Sequence, residues 1–222
     1  MKRVNGQDVP ENLSFAELSE MMDSPHMQTF VLACEALRLA GTHEAYELLK
    51  KYIASADKYK RRYVLSVIFD FAESSELSSD LLKALKSKEK FLVTTALDHL
   101  VNGKIKIADE EIFACLESCR CWLGCYFYQV LDGVEKSKEN LERTLNLYRT
   151  CGTDSAKIAI AEHLADFCTP ENYLQLYDLM AEHPAPKIRM AACRIAKKFG
   201  RRDLLQHFEK DPDGHIRKYV SL

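Results

Sequence analysis

The sequence holds little of what motif-borne chemistry requires. Its 8 glycines sit mostly where helices are expected to end, and none builds a glycine-rich phosphate loop. No Ser-His-Asp arrangement and no paired-carboxylate motif stands out. An all-helical chain can still assemble a site from separate segments. Long apolar runs are also missing. The longest uncharged stretch near the middle, Cys121–Leu131, has 11 residues, against the roughly 20 that cross a bilayer. The opening MKRVNGQDVPEN carries no apolar leader, so the 8 cysteines are expected to be mostly free thiols in a reducing, cytoplasmic setting, not a disulfide scaffold. Neither sign of charge dominates: 31 Lys and Arg against 33 Asp and Glu disfavours a dedicated nucleic-acid binder. No segment beyond the first dozen residues supports disorder.

What is present is helical periodicity, over enough chain to build one substantial core or a stack of small ones. In HPAPKIRMAACRIAKKFG (His183 to Gly200), Ile188, Ala191, Ala192, Ile195 and Phe199 fall on one stripe of an α-helix. The small residues in that stripe admit a second backbone. Pro186 suits the entry turn, and Gly200 suits a left-handed C-terminal cap. A second apolar run follows, with Leu204, Leu205 and Phe208. Then Asp211-Pro212 and Ile216-Arg217 restate the proline lead-in and the Ile188-Arg189 pair 28 positions later.

The same unit recurs along the chain. First helices are expected at TFVLACEALRLAG, RRYVLSVIFDFAE, EKFLVTTALDHLVNG, RCWLGCYFYQVLDG, SAKIAIAEHLADFCT and the stretch above. Their first slots, Thr29, Arg61, Glu89, Arg120, Ala156, Ile188 and Ile216, are separated by 32, 28, 31, 36, 32 and 28 residues. Partner helices are expected at HEAYELLKKYIAS, LSSDLLKALKSK, DEEIFACLESC, SKENLERTLNLYRT and PENYLQLYDLMAEH. Ser24-Pro25 and Thr169-Pro170 each offer an N-cap followed by proline at the first helical position. A longer connection is expected over Val101–Ala108, with Asn102-Gly103 as a turn. Ahead of the repeats, residues 1–12 read as an extended arm. Ser14 and Glu17 make a capping box for a helix whose Phe15, Leu18, Met21 and Met22 would cover the first repeat. The division is thus 1–23 for arm and capping helix and 24–222 for a single repeat domain.

These units resemble the HEAT-like repeat superfamily, particularly the short bacterial repeats of the phycobilisome-lyase type, over about Ser24 to Leu222. The resemblance implies an all-α fold, a right-handed α-α superhelix of about six helix pairs plus a terminal half-repeat. Its second helices would line a concave face. It describes helix packing and leaves function open.

Three kinds of site follow from the residues. Tyr46, Tyr52, Tyr148, Tyr173 and Tyr177 lie on second helices beside Lys50 and Arg149. Tyrosine is frequent at interface hot spots, and the mixed charge suits a protein or peptide partner. Leucines on the same helices make a core role the alternative for each. Lys58, Lys60, Arg61 and Arg62, interleaved with tyrosines within the basic Lys50–Lys90 sector, are the candidate nucleic-acid contacts; the competing reading is a solvated helix edge. Cys115, Cys119, Cys121 and Cys125 form C-x3-C-x-C-x3-C, four thiolates that a tetrahedral ion could use. The spacing is not that of a zinc ribbon, and helical periodicity makes them core residues. No metal or cofactor is therefore expected. His43-Glu44 invites comparison with the iron-binding His-Glu pairs of deoxyhypusine hydroxylase, but the pair occurs once; Glu162-His163 and Glu182-His183 run in reverse. Comparison with alkylpurine DNA glycosylases meets a single tryptophan, Trp122, placed at the start of a first helix. The expected function is a non-catalytic protein-interaction scaffold, followed by a nucleic-acid-associated protein, then an enzyme such as a DNA glycosylase or bilin lyase. The irregular units, the basic second and the aromatic fourth, are where a specific task would be written.

Overall fold

A computed structural model describes residues 2–4, 6–71, 75–102 and 105–221, with the side chains of 75–77 outside the description. The fold is all-helical apart from one small hairpin. No helix among the described residues is long and apolar enough to cross a membrane. The chain forms two compact units, Met1–Ile107 and Ala108–Leu222.

The first unit opens with strands β1 (Arg3–Val4) and β2 (Gln7–Asp8), paired antiparallel around Gly6 at φ 82°. The expected extended arm is therefore folded back. Val9 is buried, the Lys2 ammonium lies 2.5 Å from the Glu35 carboxylate, and the Gln28 side chain donates to the Val4 carbonyl at 3.5 Å. Glu35 is itself buried, and it also accepts from Arg38 at 2.9 Å and from the Tyr63 hydroxyl at 2.8 Å. A carboxylate can leave water at this depth because every neighbour is a donor.

Six helices follow: α1 (Phe15–Asp23), α2 (Met27–Ala40), α3 (His43–Lys50), α4 (Lys58–Ile68), α5 (Ser75–Leu85) and α6 (Lys90–Val101). The Ser14–Glu17 capping box is formed, and Leu18 and Met22 of α1 are buried, whereas Phe15 stays exposed. Helix α2 ends at Gly41 with φ 63°, in the left-handed region where glycine carries no Cβ penalty. Its start differs from the sequence expectation. The Ser24 hydroxyl accepts from the His26 amide at 3.1 Å, a local turn that delays the helix to Met27 and leaves Pro25 outside it. Helices α2, α4 and α6 pack successively, with α3 and α5 as their partners. Residues 105–108 connect without strand, and Gly103 of the expected Asn102-Gly103 turn lies outside the described residues.

The second unit contains α7 (Asp109–Cys119), α8 (Lys138–Thr150), α9 (Asp154–Leu164), α10 (Tyr173–Ala181), α11 (Pro186–Lys198), α12 (Arg202–Gln206) and α13 (Gly214–Val220). The aromatic fourth first-helix is not an α-helix. The chain turns at 120–122, and Cys125–Gly133 forms a 3-10 helix. Tyr128, Val130 and Leu131 of this segment and the following Val134 are buried, and Gly124 stands before it and Gly133 at its end. A second, shorter 3-10 turn, Ala165–Phe167, continues α9. Helix α10 begins at Tyr173, later than Pro170, because the Asn172 side chain accepts from the Thr169 amide at 2.8 Å and closes a turn there.

In α11 the expected stripe is the core: Ile188, Ala191, Ala192 and Ile195 are buried, while Phe199 is half-buried against Tyr173 at a ring-centroid distance of 4.5 Å. The repeated Ile-Arg pair has a repeated geometry. Arg189 donates from Nη1 to the carbonyls of His183 and Pro184 at 2.9 and 2.8 Å. Arg217 does the same to Asp211 and Pro212 at 2.5 and 3.0 Å. In both units the arginine of the first turn ties down the proline-containing lead-in. Arg189 also clasps the Asp211 carboxylate with two bonds of 2.7 and 2.8 Å, joining one helix pair to the next. The 3-10 helix, α9, α11 and α13 pack one on another in that order.

Candidate functional site

The aromatic 3-10 helix, α9, its trailing turn and α11 enclose a groove of about 450 Å³. Local capping sets α9. The Thr153 hydroxyl accepts from the Ala156 amide at 3.2 Å, and Ala156, Ile160, Ala161 and Leu164 bury one stripe. That register delivers His163 to the last turn of α9 with its ring buried. Asp132 stands at the end of the 3-10 helix, and its Oδ1 lies 3.0 Å from His163 Nδ1. Asp166, exposed, follows on the turn after α9. One ligand atom from each of Asp132, His163 and Asp166 can be taken such that all lie within 4.8 Å of one another.

Charge around the groove is sorted by element. Asp132, Glu162 and Asp166 come from the 3-10 helix, α9 and its turn, whereas Lys187 and Arg194 come from α11. Neither basic side chain has a charged partner among the described residues. Ile158 and Ala159 add an apolar strip, with Tyr126 exposed at the rim. Burial holds the His163 imidazole below its ordinary pKa; Asp132 and Asp166 pull it upward and Lys136 pushes it further down. Burial thus favours the neutral ring at neutral pH.

The residues singled out from sequence are placed elsewhere. Tyr46 is 1% exposed, its hydroxyl donating to Asp80 at 2.7 Å, with Lys50 3.5 Å from the same carboxylate. Tyr148 and Tyr177 are also buried, the latter donating to the Leu204 carbonyl at 3.1 Å. Tyr52 is half-buried against Phe30 and donates to Asp23 at 2.5 Å. Tyr173 is half-buried, bonded to Arg201, and Arg149 is exposed. The tyrosines thus do not form one open face. Their rings go to packing, and the hydroxyls of Tyr46, Tyr52, Tyr173 and Tyr177 to anchoring.

The basic sector is likewise divided. Lys60 donates to the carbonyls of Met22 and Ser24 at 3.1 and 2.7 Å, closing the end of α1, and Arg61 pairs with Glu89 at 3.0 Å. Lys58 and Arg62 are exposed, lying over the rings of Tyr59 and Phe91 at 5.0 and 4.8 Å. Among the cysteines, Cys115 and Cys119 are buried one turn apart in α7, whereas Cys121 and Cys125 are exposed. Helical spacing fails for the second pair because the expected fourth first-helix is instead a turn at 120–122 followed by the 3-10 helix from Cys125. No three cysteines among the described residues come together as ligands. His43 is exposed at the start of α3.

Sequence reading missed Asp132 and Asp166 and took His163 only as part of a reversed Glu-His pair. A signal exists: Asp132, His163 and Arg194 are spaced 31 apart, one per successive first-position element, and Asp166 follows His163 by three. No family model matches the chain, and no curated protein matches it.

Proposed function

We propose that the chain is a HEAT-like repeat protein, a right-handed α-α superhelix, that serves as a non-catalytic protein-interaction scaffold in the cytoplasm. Support for the repeat comes from the recurring Ile-Arg anchor and from the successive packing of first-position elements within each unit. The partner is a polypeptide segment carrying both signs of charge, and it lies in the groove of the second unit. One observation carries this reading: the groove has an acidic wall and a basic wall with an apolar strip, and Lys187 and Arg194 stand without charged partners among the described residues. Such a surface complements a mixed-charge peptide. A polyanion would instead meet three carboxylates.

A nucleic-acid role through Lys58 and Arg62 is the second reading. Tyr59 favours it, being 60% exposed beside Lys58 as a base-stacking platform. The commitment of Lys60 and Arg61 to internal partners weighs against it. Selection of displayed peptides on the full chain, followed by fluorescence polarisation, separates the two. Arg194→Glu is expected to weaken a selected peptide by about tenfold or more with unchanged thermal stability, while the double variant Lys58→Glu/Arg62→Glu leaves it bound. Generic duplex DNA bound with a steep salt dependence and lost in that double variant would replace the peptide reading.

A further inference from the structure

The three side chains at the acidic end of the groove come from three segments that local sequence does not connect: the end of the 3-10 helix, the last turn of α9 and the turn beyond it. Two of them are exposed carboxylates, which alone would be an ordinary acidic surface. The third is not. The His163 side chain retains only 10% of its exposure, yet its ring lines the groove, with the Asp132 carboxylate, a member of the same trio, 3.0 Å from Nδ1. Burying an imidazole at the edge of an open groove costs solvation that a single exposed carboxylate only partly returns.

We propose that Asp132, His163 and Asp166 form a binding site for a first-row divalent cation, with its open coordination positions facing the groove. The 3.0 Å between His163 Nδ1 and Asp132 Oδ1 also fits two neighbouring ligands on one ion, since metal bonds of about 2.1 Å place adjacent ligands roughly 3.0–3.4 Å apart. Asp166 is exposed and closes the third corner by a side-chain rotation. The C-terminal end of α9 adds the negative end of its dipole, which favours a cation there. One imidazole with two carboxylates selects ions of the Mn²⁺, Fe²⁺, Co²⁺ and Zn²⁺ class; a soft thiolate set would select differently, and an all-oxygen set would favour Mg²⁺ or Ca²⁺. This site is independent of the peptide reading, because it is tested by the ion alone.

The probe is Mn²⁺, chosen because the exposed Cys121 and Cys125 thiols compete for softer ions. Titration of the full chain, followed by the paramagnetic signal of free Mn²⁺ and by calorimetry, is expected to show one saturable equivalent. Asp166→Asn, an exposed and near-isosteric change, is expected to weaken it about tenfold or more, as loss of a ligand does, and Asp132→Asn likewise. Cys125→Ser is expected to leave it unchanged. Added Mn²⁺ raises the thermal midpoint of the wild-type chain and not that of Asp166→Asn. Absence of saturable binding overturns the proposal. So does binding that survives both aspartate substitutions, or that is lost in Cys125→Ser, which assigns the ion to the cysteines.

Discussion

The most committed polar residue in the second unit is Arg189. It is buried, closes two carbonyls of its own lead-in and grips Asp211 with two parallel bonds. Arg189→Ala leaves the Asp211 carboxylate buried without its partner, and removal of one member of such a pair costs roughly 3–5 kcal/mol. A chemical-denaturation midpoint measured at neutral pH checks this, and a shift of a few tenths of a kcal/mol would mean that water replaces the guanidinium freely. The same pair sets an acid limit. The bonds from Arg189 hold the Asp211 carboxyl below its ordinary value of 3.8, with the Asp213 amide helping and burial opposing. Because the folded value is the lower one, the unfolded chain takes up the proton first. The contribution is complete above about pH 4 and is lost as pH falls from there through the folded value. In Arg189→Ala this acid-dependent loss is expected to shrink, since the Asp211 carboxylate has lost the guanidinium that lowers its pKa.

Helix α11 tests the register at the scale of the element. Ala192 and Ile195 are both fully buried, between helices that approach closely over small residues. Ala192→Arg and Ile195→Asp each place an unpaired charge there, with an expected loss of several kcal/mol and a fall in the thermal midpoint of the second unit. Lys197→Ala, on the exposed side of the same helix, is expected to change stability by no more than about 0.5 kcal/mol. Elements of this type were legible because their signals are local: a 3.6-residue stripe, a capping box at Ser14, and glycines at 41 and 200 with φ of 63° and 64°. Where the signal is a competition between two local structures, the helix start was not legible. Ser24 and Asn172 each close a turn that delays the helix past the preceding or following proline pattern. The 3-10 helix was missed for a related reason, since apolar residues clustered over nine positions read as a short α-helical stripe. The groove was least legible of all. Its members stand about one repeat apart, so each looks like an ordinary surface residue until successive elements are packed side by side.

At the scale of the whole molecule, each of the two units buries apolar side chains of its own. Phe30, Leu37, Leu49, Leu65 and Ile68 are fully buried in the first, and Phe113, Leu116, Tyr128, Leu131 and Ile195 in the second. Residues 105–108, between α6 and α7, carry no helix or strand. A chain whose helix pairs mainly contact their sequence neighbours gains stability pair by pair, and a run of several pairs holds itself together. The fragment Ala108–Leu222 is of ordinary domain size and contains every residue of the groove. Expressed alone, it is expected to show a helical circular dichroism spectrum and one cooperative thermal transition. It is also expected to retain the Mn²⁺ and peptide affinities of the full chain within about twofold, a change of roughly 0.4 kcal/mol. Met1–Ile107 is expected to bind neither. A fragment without a cooperative transition would show that the second unit depends on the first for its core, and the groove would then belong to the intact chain only. A cooperative fragment that binds neither ligand would separate folding from recognition, making residues of the first unit necessary to the site.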